Sequence, residues 1–279
     1  MDFACGDRST ACDDGDLSIQ LEAQPGLFQS ARQNEIYLMT LREGSVDVSE
    51  LAKHFEVTPE TIRRDLSDLQ ERSLLRRVHG GAVALDRHRH EPMLDTRASQ
   101  NSPEKTRIAE HALSYVPETG SVLLDSGSTV QRVAEIYPTN RLTHVLTNSL
   151  TTALSLVRRG VSDVTVLGGA VRTNTFAMVD ASVVDAVREI RADVLFISCD
   201  GFSMERGLTT PYREEAAVKR AMVDSARWVV ALVDHSKFGS EQTYGYLPLN
   251  EMDALITDTR VDDLTVERLA AFGIEVTRA

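Results

Sequence analysis

Residues 58–70 read TPETIRRDLSDLQ, and their chemistry predicts the best-specified helix in the chain. The Thr58 hydroxyl can accept from a free backbone N–H at a helix start. Pro59 follows at the first helical position, where its missing N–H costs nothing. Glu60 sets a carboxylate against the positive end of the helix dipole. Ile62, Leu66 and Leu69 recur at i, i+4 and i+7 and form a buried stripe, leaving Thr61, Arg63, Arg64 and Ser67 for the outside. An outward arginine pair is a local departure in this protein: its 279 residues carry 30 Lys+Arg against 42 Asp+Glu, a formal net charge of −12.

The flanking sequence gives that helix a context. Upstream, SARQNEIYLMTLRE (30–43) brings Ile36, Met39 and Leu41 to roughly helical spacing before Gly44. VSELAKHF (48–55) then offers Ser49 as N-cap, with Leu51, Ala52 and Phe55 turned inward. Downstream, LLRRVHGGAV (74–83) reads as a short β-hairpin turning at Gly80 and Gly81. Three helices and a glycine-tipped hairpin over residues 30–85 make a winged helix-turn-helix, whose third helix enters the major groove while the hairpin lies on the DNA backbone. The candidate DNA-contacting residues are Ser49, Thr58, Thr61, Arg63, Arg64 and Ser67, with Arg76, Arg77 and His79 on the wing. A solvated charged helix face is the plain alternative for an arginine pair; the cap, stripe and wing in register weigh against it. Charge agrees: residues 61–90 hold seven Lys+Arg and four Asp+Glu. A local basic face on an acidic body suits a polyanionic partner.

Residues 1–29 show no hydrophobic period and are expected to be a disordered leader. They lack the basic start and apolar run of a secretory signal, and no stretch of the chain approaches the ~20 apolar residues that span a bilayer, so a cytoplasmic setting is expected. Cys5, Cys12 and Cys199 are too few and scattered for a disulfide framework or a four-ligand zinc site, and neither metal nor cofactor is expected. Residues 86–103, DRHRHEPMLDTRASQNSP, are polar and bounded by prolines and read as a linker, with the HRH at 88–90 part of a basic hinge rather than a metal clip.

From residue 104 to 279 the pattern becomes strands alternating with helices. SVLLD (121–125), HVLTN (144–148), VTVLGG (164–169), ADVLFISCD (192–200), RWVVALVDHS (227–236) and ALITD (254–258) are short, near-continuous apolar runs. Such runs alternating with helices imply an α/β domain whose mostly parallel sheet is covered on both faces, with functional residues at the carboxyl ends of its strands. Those ends carry Asp125, Gly127, Ser128 and Thr129; Asn148 and Ser149; Gly168 and Gly169; Asp200; and Lys237 after Asp234 and Ser236. A Gly-Ser-Thr turn presents N–H groups and hydroxyls to an anion at a helix start. The whole rim suits a phosphorylated sugar or polyol.

Two long stretches resemble a known family. VDVSELAKHFEVTPETIRRDLSDLQERSLLRRVHGGAV is similar to the DNA-binding segment of the deoxyribose-operon (DeoR) family of bacterial repressors, and GLTTPYREEAAVKRAMVDSARWVVALVDHSKFG to its sugar-phosphate-sensing domain. Ser73 departs from the glycine usual before the wing. The resemblance implies an α+β multidomain protein whose second domain is like ribose-5-phosphate isomerase and the CoA-transferases. It also implies a DNA-binding repressor of a carbohydrate-catabolism operon, acting on operator DNA as a homo-oligomer and relieved by a phosphorylated sugar. An isomerase-like enzyme with a DNA-binding head is the alternative. That isomerase carries a DGAD-type loop, a lysine before a glycine run and a glutamate base. Here Asp200 is kept, Ser203 replaces the second carboxylate, SMER before Gly207 lacks the lysine, and Glu214 matches the base. Proton shuttling needs a base beside an electrophile or second acid, so the expectation is sensing without catalysis.

Overall fold

The computed structural model describes residues 25–43, 45–72, 74–84 and 93–279, which fall into two compact units divided between residues 85 and 86. The first unit runs α1 (Pro25–Glu43), β1 (Ser45–Asp47), α2 (Val48–His54), α3 (Pro59–Glu71), β2 (Leu75–Val78) and β3 (Gly81–Ala84). Its three strands form an antiparallel sheet in the order β1-β3-β2. Helix α3 starts as its residues dictate: Thr58 Oγ1 accepts from Thr61 N at 3.2 Å, one residue ahead of Pro59. Ile62, Leu66 and Leu69 are buried against Ile36 of α1, Leu51 of α2 and Leu75 of β2, a winged helix-turn-helix core.

Two expectations for this unit are corrected. Helix α1 begins at Pro25, inside the segment read as leader, because a proline at a first helical position is no obstacle and the polar run QSARQNE conceals the period. Residues 1–24, with Cys5 and Cys12, lie outside the described residues, as do Ser73, His88 and His90. The cap of α2 is Asp47 rather than Ser49: its Oδ1 accepts from Ser49 N at 2.7 Å and Glu50 N at 3.3 Å. The charged acceptor at the end of β1 takes the free N–H groups and leaves Ser49 within the first turn.

The second unit runs α4 (Leu94–Ser99), α5 (Ser102–Ala112), β4 (Thr119–Leu124), α6 (Ser128–Glu135), β5 (Leu142–Thr147), α7 (Leu150–Arg159), β6 (Val164–Val166), β7 (Ala170–Val171), β8 (Met178–Val179), α8 (Ala181–Arg188), β9 (Ala192–Ile197), β10 (Gly201–Ser203), β11 (Gly207–Thr210), α9 (Arg213–Ser225), β12 (Ala226–Leu232), β13 (Tyr244–Leu247), β14 (Ala254–Thr257), α10 (Asp263–Ala270) and β15 (Glu275–Arg278). Seven strands form one sheet in the order β15-β14-β12-β9-β4-β5-β6, parallel at every pairing. Small antiparallel sheets β10-β11-β13 and β7-β8 stand beside it. The apolar runs are near-continuous because both faces are covered. Leu123, Leu195, Ile197 and Ala231 pack into one core, and Val122, Leu124, Phe196 and Val230 into the other.

The linker expectation reaches too far. Residues 94–99 form α4 and α5 starts at Ser102; Leu94 and Arg97 are only 2% and 8% exposed. A six-residue helix with a single buried leucine has no period to read. Strand β15 also escapes the sequence: as a sheet edge, its EVTR carries a half-buried pattern without an apolar run.

Candidate functional site

In the first unit, Arg63, Arg64, Arg76, Arg77 and His79 are exposed. Arg63 donates to Glu60 Oε2 at 3.0 Å, an exposed pair of the kind that holds little energy and yields readily to a phosphate. The wing is tied to α3 by Arg77, whose backbone N donates to Gln70 Oε1 at 2.8 Å and whose guanidinium donates to Ser67 Oγ at 2.7 Å. Ser67 in turn donates to Arg63 O at 2.8 Å, and the Thr58 and Thr61 hydroxyls are 2.9 Å apart. Gly80 turns the hairpin at φ +84°, and a Cβ on Gly81 would collide with the Val46 carbonyl, so β3 lies hard against β1. Sequence reasoning missed Asp65. This buried carboxylate accepts from Arg32 Nε at 2.6 Å and Gln33 Nε2 at 3.1 Å, and Gln33 also donates to Asp68 at 2.9 Å, bracing α1 against α3. Its place beside Leu66 on the apolar arc was the available signal.

In the second unit the strand order sets the site. From β4 the sheet grows one way through β5 and β6 and the other way through β9, β12, β14 and β15. The carboxyl ends of β4 and β9 are therefore a topological switch point, where α/β sheets open a crevice. Asp125, wholly buried after β4, accepts at Oδ2 from Ser198 N after β9 at 3.1 Å and from Lys219 Nζ of α9 at 2.5 Å. Lys219 also donates to Ser198 O at 3.1 Å, which accepts the Tyr246 hydroxyl at 2.6 Å. Gly127 is at φ +129° with the Ser198 hydroxyl where its Cβ would stand, so only glycine lets the 126–128 turn lie there and deliver Ser128 and Thr129 to the start of α6.

Around this pair stand further charges. Asp200 is 2.9 Å from the Arg97 guanidinium of α4. Glu215 accepts from Arg172 at 3.0 Å and Thr210 Oγ1 at 2.9 Å, with the Arg172 guanidinium 3.7 Å from the Tyr212 ring centroid. Asp234 accepts from Asn101 Nδ2 at 2.9 Å and Ser236 N at 3.1 Å. Lys105 Nζ donates to Arg97 O at 2.5 Å. Burial drives the Lys105 pKa down to about 7 despite the Asp234 charge. It also pushes that of Glu215 up against the pull of Lys219. Burial alone would raise the pKa of Asp200 and of Asp234, but Arg97 and Lys237 at the first and Lys237 and Lys105 at the second outweigh it, and both are lowered. For Lys219 the burial penalty is overcome by Asp125 and Glu215, and its pKa is raised. The cluster thus sets Arg97, Lys105, Arg172, Lys219 and Lys237 among Asp125, Asp200, Glu215 and Asp234, with Lys105 the cation that burial disfavours most.

Asn148 and Ser149 close the neighbouring strand end under the β7–β8 hairpin. Met178 N donates to Asn148 O at 2.7 Å and Asn148 Nδ2 to Met178 O at 3.1 Å, while Asn148 Oδ1 is buried without a hydrogen-bond partner. Ser149 caps α7, accepting from Thr152 N at 3.3 Å. Two expectations are corrected here. Glu214 is exposed and lines a separate cavity of about 380 Å³ with Asp185 and Arg188 of α8. Its neighbour Glu215 is the buried carboxylate, because Glu215, Val218, Lys219 and Met222 share the inward face of α9. Gly168 stands exposed and Gly169 packs on Val183 and Asp180, so this close approach serves the start of α8. Ser203 donates to Glu241 at 2.8 Å and accepts from Arg206 N at 3.1 Å in the β10–β11 turn. Among the described residues no group of three or more His, Cys, Asp or Glu could hold a metal ion, and no helix is long and apolar enough to cross a membrane. Sequence reasoning missed Arg97, Lys105, Arg172, Glu215, Lys219 and Tyr246. The Val218/Met222 phase of α9 was the signal for Glu215 and Lys219.

Comparison with known proteins matches residues 32–88 to the DeoR-like helix-turn-helix domain and residues 100–259 to the DeoR C terminal sensor domain. The chain is 34% identical over 251 residues to the HTH-type transcriptional regulator GolR of Listeria innocua, covering 90% of this chain and 98% of that protein. It is 31% identical to the glycerol-3-phosphate regulon repressor of Escherichia coli over 230 residues, 82% of this chain and 91% of the repressor. It is also 31% identical to the transcriptional repressor GlcR of Bacillus subtilis over 250 residues, 90% and 96% of the two chains. All three are named as regulators of transcription, and none as an isomerase.

Proposed function

The chain belongs to the DeoR family of DNA-binding transcriptional regulators, and from that premise we propose that its sensor domain binds a phosphorylated sugar or polyol at the carboxyl ends of β4, β5, β9 and β12. The observation that carries the reading is a cluster of charges in which burial drives the Lys105 pKa down to about 7, on the same sheet edge as an Asn148 carbonyl oxygen without a partner. Burying an unpaired charge or acceptor is costly. An anion that also brings hydroxyls relieves both costs at once, the phosphate meeting Lys105, Lys237 and the 126–129 turn and a hydroxyl donating to Asn148. The name of the Escherichia coli relative, a repressor of a glycerol-3-phosphate regulon, supports the same ligand class.

The protein acts as a repressor released by this effector. Arg63 and Arg64 contact the DNA from α3, and Arg76, Arg77 and His79 from the wing, with Ser49, Thr58, Thr61 and Ser67 along the same face. Two copies in a symmetric homo-oligomer, in the cytoplasm, meet the two halves of a palindromic operator. An effector that binds the DNA-incompetent state ~100-fold better supplies about 2.7 kcal/mol of coupling. The experiment is a thermal-shift and calorimetric panel of sn-glycerol 3-phosphate, fructose 1-phosphate, glucose 6-phosphate and ribose 5-phosphate, followed by operator release measured by fluorescence anisotropy. At least one ester raises the melting temperature and releases operator, and Lys237→Met abolishes both while binding operator as wild type does. A wild-type protein blind to every phosphate ester overturns the reading, and so does steady turnover of ribose 5-phosphate.

A further inference from the structure

The covalent path from the DNA-binding unit enters the sensor unit at one place. β3 ends at Ala84, and the first described element beyond it is α4, Leu94–Ser99. Six residues are too few to hold a helix in water, and Met93 provides no side-chain cap. What keeps α4 folded is what it touches. Leu94 is buried and its N–H donates to Asn174 O at 2.9 Å in the β7–β8 hairpin. The Arg97 guanidinium pairs with Asp200 at 2.9 Å, and the Arg97 carbonyl accepts Lys105 Nζ at 2.5 Å. Directly after α4, Asn101 adopts a left-handed conformation, φ +51°, and donates to Asp234.

Two of these fastenings, Arg97–Asp200 and Lys105–Arg97 O, belong to the charge cluster that the effector enters. We propose that α4 is the element that reports effector binding to the DNA-binding unit, latched to the sensor cluster by Arg97–Asp200 and Lys105–Arg97 O and unlatched when an anion takes Lys105 and Arg97. This rests on the effector reading above. The Lys105 ammonium exchanges a neutral carbonyl for a phosphate oxygen, and a hydrogen bond between two charged groups is about twice as strong as one to a neutral acceptor, so the anion offsets part of the cost of parting Arg97 from Asp200. Once released, α4 has lost both of its ties to the charge cluster, and Leu94 and the Leu94–Asn174 backbone bond remain among its fastenings.

The test uses the full chain with the same four phosphate esters and inorganic phosphate as reference. In hydrogen exchange, the amides of residues 94–100 exchange at least tenfold faster in the presence of the ester that binds, while α10 amides, capped independently by Asp262, do not change. Arg97→Met mimics the effector: its operator affinity without ester falls at least tenfold, and added ester shifts it by less than threefold. An ester that binds wild type by calorimetry yet leaves the 94–100 amides unchanged overturns the latch and leaves the effector site standing. So does an Arg97→Met protein with wild-type operator affinity and full release. Failure of every ester to bind wild type removes the effector site, and the latch with it. Should Arg97→Met not fold, wild-type exchange decides alone.

Discussion

Replacing Lys219 by Met tests whether the Asp125–Lys219 pair holds the sensor fold together through charge. The methionine keeps much of the lysine's length and buries well, so the perturbation is mainly electrostatic. In wild type, the wholly buried Asp125 accepts from Lys219 at 2.5 Å and Ser198 N at 3.1 Å. Removing Lys219 leaves a buried carboxylate with a backbone N–H as its remaining close donor at Oδ2. Breaking a buried pair from one side costs about 3–5 kcal/mol, because the survivor's desolvation is no longer offset. For a unit spanning residues 86–279, each kcal/mol lowers the melting temperature by roughly 2–4 °C, so Lys219→Met melts roughly 6–20 °C below wild type. The double variant Asp125→Asn/Lys219→Met removes the orphaned charge and keeps an acceptor for Ser198 N. It recovers at least half of the loss, while remaining blind to phosphate esters. Calorimetric melts of wild type, both single variants and the double close a mutant cycle. A Lys219→Met loss under about 1 kcal/mol, or a double variant as unstable as the sum of the singles, refutes the electrostatic account.

Two further outcomes follow from the geometry. Arg63→Ala and Arg64→Ala each weaken operator binding and flatten its logarithmic salt dependence by roughly one unit if a phosphate contact is lost, read by anisotropy titrations at several salt concentrations; unchanged slopes and affinities refute the placement. Lys105, held by burial to a pKa of about 7 against an ordinary 10.5, binds fewer protons folded than unfolded between those values, so its contribution makes the protein more stable as pH rises across that window. An anionic ester recharges it, and binding at pH 8.5 takes up close to one proton. Calorimetry in two buffers of different ionisation enthalpy reads that uptake, which is absent in Lys105→Met.

Local chemistry was the legible part of this chain. Thr58, Pro59 and the Ile62/Leu66/Leu69 stripe sit within a dozen residues of one another and specify α3 unaided. The central strands were legible because burial on both faces leaves nothing but apolar residues in runs such as VLL at 122–124. Asp125 and Asp200 were legible as strand ends of a parallel sheet, the place where such sheets bind ligands. Their partners were not. Arg97 and Lys105 come from a stretch whose prolines and charges read as a linker, and Arg172 comes from a hairpin with two-residue strands. No local pattern shows that any of them meets a carboxylate far away in sequence. Motif matching points to Glu214, whereas the helical phase of α9 selects Glu215.

The two units also show that ion pairs of similar geometry do different jobs. Asp65 in α3 takes Arg32 and Gln33, while Asp68 takes Gln29 and Gln33. Both carboxylates take their donors from α1, so the network serves as a brace between α1 and α3. The sensor cluster is built from the same kinds of contact but does not close: Lys105 is driven toward neutrality, and Asn148 Oδ1 has no donor. Replacing a buried ionic network by apolar residues is often neutral or stabilising, so the fold alone gives no reason to keep one this incomplete. A receptor for an anion does: an anionic ligand restores the charge of Lys105 and a hydroxyl on it gives Asn148 a donor, and the residue that joins this cluster to the chain leading to the DNA-binding unit is Arg97.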